Sequence, residues 1–235
     1  MDGGRQRYGM SWLAFAATVG GLTIVFGGCG SSGTTNSTSG TTTATSSGAS
    51  SNSGSGTGQP SATGLGRYLV GASDEPGFMP GAPSSASSVS DWVGITGAVS
   101  TANADENRLR AERFLAGDSE QLSGGAGAAG LSYVMRFASP SGAQQEAMHL
   151  TRTFGPSAPS GTKVSHFAVS GIPGAVGFGA VGGGQKTGVN VVWVDGRCAV
   201  LVGNLSGGPV PIGTYDRPLV AAARAVYGRA RGNCR

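Results

Sequence analysis

Histidine and cysteine are scarce in this chain, 2 and 3 among 235 residues. His149 and His166 stand apart from each other and from Cys29, Cys198 and Cys234, so no metal-ligand spacing arises. No metal and no other cofactor is expected. Charge is thin as well: only 12% of residues are Asp, Glu, Lys or Arg, and the formal net charge is +4. That balance is too mild and too scattered for a nucleic-acid partner. Long apolar runs are missing. The longest, residues 12–26, holds 15 apolar or small residues. As a helix it would span about 22 Å, against roughly 30 Å of bilayer hydrocarbon, so a spanning helix is its weaker reading. No Gly-x-Ser-x-Gly occurs, which removes the nucleophile elbow of one large class of hydrolases.

What is there begins with an export pattern. Arg5 and Arg7 precede the apolar run, and Gly27, Gly28 and Cys29 follow it. A basic segment, an apolar segment and small residues before a cut make a secretory signal. The stretch "FGGC" resembles a bacterial lipobox, with Phe26 standing where Leu is usual. The resemblance covers the N-terminus alone. It implies a signal peptide over residues 1–28, cut before a Cys29 that carries a lipid, and a protein held at the extracytoplasmic face of the cell membrane. Each buried CH₂ of an acyl chain would contribute about 0.8 kcal/mol to that attachment.

Residues 30–64 carry no charge and almost no apolar side chain larger than alanine. Such a segment cannot bury enough surface to offset its ordering entropy, so a disordered tether is expected over residues 29–64. Its 35 uncharged residues give a root-mean-square reach of roughly 30–35 Å. Two N-x-[ST] matches, at Asn36 and Asn204, read as chance in such a protein. With the first 28 residues removed, 14 of 16 basic and 11 of 12 acidic side chains remain. With Cys29 lipidated, Cys198 and Cys234 are left as a pair. Outside the cytoplasmic membrane such a pair is expected as a disulfide, worth about 3–4 kcal/mol in the chain-entropy picture. Two free thiols are the alternative.

Residues 65–235 are long enough for one domain with its own core. Prolines 76, 80 and 83 make residues 66–88 mostly loop. A short helix is expected over 103–115, with Asn103 as its cap, the end of that stretch turning into a strand. Residues 131–139 alternate as a half-buried strand, with Leu131, Tyr133, Met135 and Phe137 on one face. A helix follows, capped by Ser139, with Ala143, Ala147, Leu150 and Phe154 in one stripe and a stop at Gly155-Pro156. Strands are expected at 164–170, 175–181, 188–194 and 198–204. Asp195-Gly196 reads as a two-residue type I′ turn between the last two. Residues 216–230 read as an amphipathic helix with Leu219, Val220, Ala223, Val226 and Tyr227 inward. The sum is an α+β fold: an antiparallel sheet with about three helices, an α/β sandwich.

The segments "GLSYVMRFASPSGA", "FAVSGIPGAVGFG" and "NVVWVDGRCAVLVGN" resemble a group of uncharacterised actinobacterial lipoproteins. The excess of arginine over lysine, 14 to 2, matches the composition of high-G+C bacteria. More distantly, residues 65–235 resemble PsbP-like α/β sandwich domains and the extracellular sensor domains of bacterial Ser/Thr kinases. No catalytic residues come with these resemblances.

Local motifs stay weak. "GAVGGGQKT" (179–187) imitates a P-loop, but Gln185 separates Gly184 from Lys186 and a strand follows where a helix is needed. "GDS" at 117–119 is too short to carry hydrolase chemistry. His149 reads as a solvated residue on the polar face of its helix, and His166, on a strand, points either way. Arg217, Arg224 and Arg231 lie together beside the apolar stripe of the last helix, with Arg229 and Arg235 near them. They form either a solvated face or a patch for anionic lipid head groups. Three functions remain in view: a non-enzymatic binding domain for an envelope protein, a cell-wall component or a small ligand; a carrier of apolar molecules in a cavity beside Gly177, Gly179 and Ala180; and, last, a hydrolase.

Overall fold

In a computed structural model, residues 61–96, 101–125, 128–157, 162–182, 188–205 and 216–235 are described. They form eight strands and four helices in the order β1 (Phe78–Pro80), β2 (Ser84–Ala86), α1 (Val89–Thr96), α2 (Ala102–Ala111), β3 (Phe114–Gly124), β4 (Ala129–Phe137), α3 (Pro140–Ser157), β5 (Thr162–Ala168), β6 (Val176–Gly182), β7 (Gly188–Asp195), β8 (Cys198–Leu205) and α4 (Asp216–Ala230). All pairings are antiparallel, and the sheet runs β1-β3-β4-β8-β7-β6-β5, with β2 also on β3. The α+β class is the expected one, and α1 adds a helix to those foreseen.

Both faces of the sheet are covered. On one, Val134, Val191, Trp193, Val200 and Val202 pack with Leu219, Ala223 and Val226 of α4 and with Leu65, Tyr68, Leu69 and Val70. On the other, Tyr133, Met135, Phe137, Phe178 and Leu201 pack with Trp92 and Val93 of α1, Leu109 of α2, and Ala143 and Leu150 of α3. This corrects the half-buried reading of β4. The predicted face goes to the α3 side, but Ser132 and Val134 on the opposite face are equally buried. Ser132 is tolerated there because its Oγ accepts a hydrogen bond from the Val70 amide at 3.1 Å.

Helix boundaries shift where caps differ from the expected ones. Asn103 lies inside α2, and Thr101 takes the cap position without a side-chain capping bond. Ser139 does cap α3, accepting from the Gly142 amide at 3.2 Å. That helix continues through Gly155 and Pro156 to Ser157; a proline in the last turn forfeits one backbone hydrogen bond. The β7–β8 turn is Gly196-Arg197, one residue later than expected, because Asp195 still pairs with Cys198. Gly196 has φ 57° while Arg197 does not take a positive φ, the pattern of a type II′ rather than a type I′ turn.

Cys198 and Cys234 form a disulfide, with Cα atoms 5.7 Å apart and a sequence separation of 36. It fastens the C-terminus against the hairpin. The Arg197 amide donates to the Cys234 carbonyl at 2.7 Å, and the Gly232 amide donates to Asp195 Oδ2 at 2.8 Å. Tyr68 donates to the same carboxylate at 2.6 Å. The proposed signal, Cys29 and nearly all of the tether lie outside the described residues.

Candidate functional site

Strand β5 ends the sheet, and a cleft opens on either side of it. Successive strand residues point to opposite faces, so Phe167 goes to the α4 side while Val164 and His166 go to the α3 side. On the α4 side, Phe167, Ala168, Ser170, Arg217, Val220 and Arg224 line a cleft of about 410 Å³. Arg217 and Arg224 sit on one face of α4, seven residues apart, which is about 10.5 Å along the axis. Arg224 is fixed in place: its Nε donates to the Ser170 carbonyl at 2.6 Å, and its Nη2 donates to Ser170 Oγ. Gly171, at φ 86°, leaves room for that side chain; a Cβ there would lie 3.3 Å from Arg224 Nε. The apolar wall is equally specific. A Cβ on Gly177 would lie 2.3 Å from the Phe167 ring, so the glycine seats the aromatic side chain across the sheet. The small residue that was read as leaving a void therefore holds a ring.

On the α3 side, Thr151, Arg152, Val164, His166 and Val176 line a cleft of about 480 Å³. His166 stands over Phe178, ring centroids 6.5 Å apart. Val176 and Met148 are 38% and 45% exposed, and Arg152 Nη2 reaches the Met148 sulfur at 3.9 Å. The Thr151 hydroxyl donates to its own helix, to the Met148 carbonyl at 3.0 Å. Both clefts thus join arginine to apolar walls, and among the described residues that line them none is a carboxylate.

The predicted arginine patch divides in three. Arg217 and Arg224 share the α4 cleft. Arg231 is exposed one residue beyond α4 and does not line it. Arg229 turns inward and binds Asp74 at 2.8 Å and the Leu69 carbonyl at 2.7 Å, pinning the N-terminal segment to α4.

His149 corrects the sequence reading. It is not solvated but half-buried beside Arg108 and Asp105, and burial first, then the Arg108 charge, push its pKa down to about 4. Arg108 is the centre of an ionic cluster between α2 and α3, pairing with Asp105 and Glu112 at 3.3 Å each and with Glu146. Burial holds the Glu112 carboxyl above the usual range against the pull of Arg108. On the opposite sheet face Glu75 accepts from Asn204 Nδ2, and burial raises its pKa too. Asn204 is only 2% exposed, which closes it to a glycan. "GDS" lies within β3, with Asp118 and Ser119 buried in the sheet. The core of the P-loop imitation, residues 183–187, lies outside the described residues, but β7 does follow it. Among the described residues no group of His, Cys, Asp and Glu is placed to hold a metal ion, and no helix is long and apolar enough to cross a membrane.

No family model matches the chain, and no curated protein does. Among solved structures, the extracellular domain of PknH from Mycobacterium tuberculosis is similar over 72% of this chain and 98% of its own, at 13% identity and a TM-score of 0.45.

Proposed function

We propose that this chain is a lipid-anchored protein of the cell envelope whose folded part binds anionic ligands that carry an apolar portion, without chemical turnover. The observation that carries the reading is the α4 cleft, where Arg217 and Arg224 stand over Phe167 and Val220. A guanidinium offers a planar fork of donors suited to carboxylate, phosphate or sulfonate, and it is weakly enough hydrated to bind beside an apolar wall. Arg224 is held by Ser170 before any ligand arrives, which lowers the ordering cost of binding. Lipid on Cys29 and a tether over residues 29–64 would hold this cleft within a few nanometres of the membrane face. The partner is then an envelope protein, a cell-wall component or a small anionic amphipath.

The probe for this reading is anilinonaphthalene sulfonate, an aromatic ring system bearing one anionic group. It is titrated into the mature chain, residues 29–235 with Cys29→Ser, and read by fluorescence. The double variant Arg217→Ser/Arg224→Ser is expected to weaken binding by about tenfold or more, the scale of one lost charge-assisted hydrogen bond. Arg110→Ser, an exposed arginine paired with Glu106 on α2, is expected to leave it unchanged. Equal binding by all three proteins would contradict the assignment. A chain that carried apolar molecules instead would bring lipid with it, visible by mass spectrometry after extraction, and would bind an uncharged alcohol as well as the sulfonate.

A further inference from the structure

The two clefts flank β5, the last strand of the sheet among the described residues. At the opposite end of the sheet two three-residue strands, β1 and β2, both pair with β3. Strand β5 pairs with β6, and among the described residues no strand lies beyond it. Lys163, Ser165, His166 and Ala168 are exposed along it. Seven residues of edge extend over about 23 Å and present alternate backbone N–H and C=O groups outward. Bare edges of this length are normally blunted or covered, and here Lys163 is the main blunting charge.

Charge selects the occupant. Arg152, Lys163, Arg217 and Arg224 lie along or beside the edge, and among the described lining residues of the two clefts none is acidic. A second copy of this chain paired β5 to β5 would bring these cations against their own copies, which is unfavourable. The chain's own tether, residues 30–64, has no charge to offer. The geometry points to an extended acidic segment of a partner protein, added to the sheet as a strand on β5. Its alternate side chains would enter the two clefts, one set meeting Arg217, Arg224, Phe167 and Val220, the other Arg152, His166, Val164 and Val176. The backbone would supply affinity, and the pattern of one acid and one apolar residue per face would supply specificity. This rests on the anionic-ligand reading above and deepens it.

The test uses the same Cys29→Ser chain and a fluorescent peptide of about eight residues, long enough to span β5, in which paired glutamates alternate with paired valines. Fluorescence anisotropy reads the binding. The acidic peptide binds, its lysine counterpart does not, and Arg152→Glu and Arg217→Glu each weaken it by about tenfold. The decisive arm is backbone N-methylation at every other residue. In an added strand only one alternate set of amides faces β5, so one methylated peptide loses binding about tenfold or more while the other keeps it. Equal binding by both methylated peptides overturns strand addition. No peptide binding, with Arg217- and Arg224-dependent sulfonate binding intact, overturns it too and leaves the small-ligand cleft standing. Arginine-dependent binding to phosphatidylglycerol vesicles with none to peptide assigns the surface to the membrane and likewise overturns it.

Discussion

Arg108 neutralises part of a cluster that would otherwise place three carboxylates, Asp105, Glu112 and Glu146, side by side near a half-buried histidine. A pair broken by removing one partner leaves an uncompensated charge, which is why such clusters tie elements together even where their net worth is small. His149 gives the cluster a measurable pH signature. Its folded pKa of about 4 lies below the ordinary histidine value of 6.5. The unfolded chain therefore takes up this proton below about pH 6.5 and the folded one does not until about pH 4. Stability from His149 is complete above that window and falls as pH drops through it. Glu75 and Glu112, with raised pKa values, act in the opposite direction. Denaturant unfolding from pH 7 to 4 is expected to show a flatter decline for His149→Gln than for the parent, and parallel curves would refute the buried, neutral histidine. None of this was legible in the sequence. The helix period places His149 on the outer face of α3 with Gln145 and Arg152, which do stay exposed, and the approach of Arg108 and Asp105 from α2 is visible only in three dimensions.

At the scale of elements, α1 shows what a local signal can do when it is read. Ser88 accepts from the Asp91 amide at 3.1 Å and donates to the Asp91 carboxylate at 2.6 Å, the reciprocal cap of a helix start. That Ser-x-x-Asp spacing precedes Trp92, so the helix could have been found without the fold. Trp92 then lies over Gly117 of β3, where a Cβ would sit 2.5 Å from its ring. Gly117→Ala is expected to lose about 1–3 kcal/mol of stability by overpacking, with tryptophan fluorescence shifted; an unperturbed spectrum and full stability would mean that α1 docks otherwise. The elements that matched best carry complete local instructions. Helix α4 has an uninterrupted apolar stripe, and β7 and β8 are β-rich runs around a glycine turn. The register was the weaker part: Asp195-Gly196 and Gly196-Arg197 differ by one residue, and pairing across the whole sheet decides between them. Of the candidate site, Arg217 and Arg224 were visible as one helix face. Arg152 and His166 were not, because α3 and β5 meet only in three dimensions.

At the scale of the whole folded part, the two ends of the sheet differ among the described residues. One sheet edge is closed by the loop-rich N-terminal segment, itself pinned by Arg229 to Asp74 and by Tyr68 to Asp195. At the other, β5 is the last described strand and lies between two clefts lined by arginine. The disulfide fixes the C-terminus beside the β7–β8 hairpin, so α4 is anchored at the end away from Arg217. The proposed binding role at the membrane face depends on the proposed attachment at Cys29. The measurement that tests it most directly is the intact mass of the protein purified from its own membrane without reductant. The account predicts a chain that begins at an acylated Cys29 and is two hydrogens lighter than its reduced form, from the Cys198–Cys234 bond. A mass that begins at Met1, or at an unmodified residue near position 29, would contradict the lipid tether and with it the placement of the basic clefts at the membrane face.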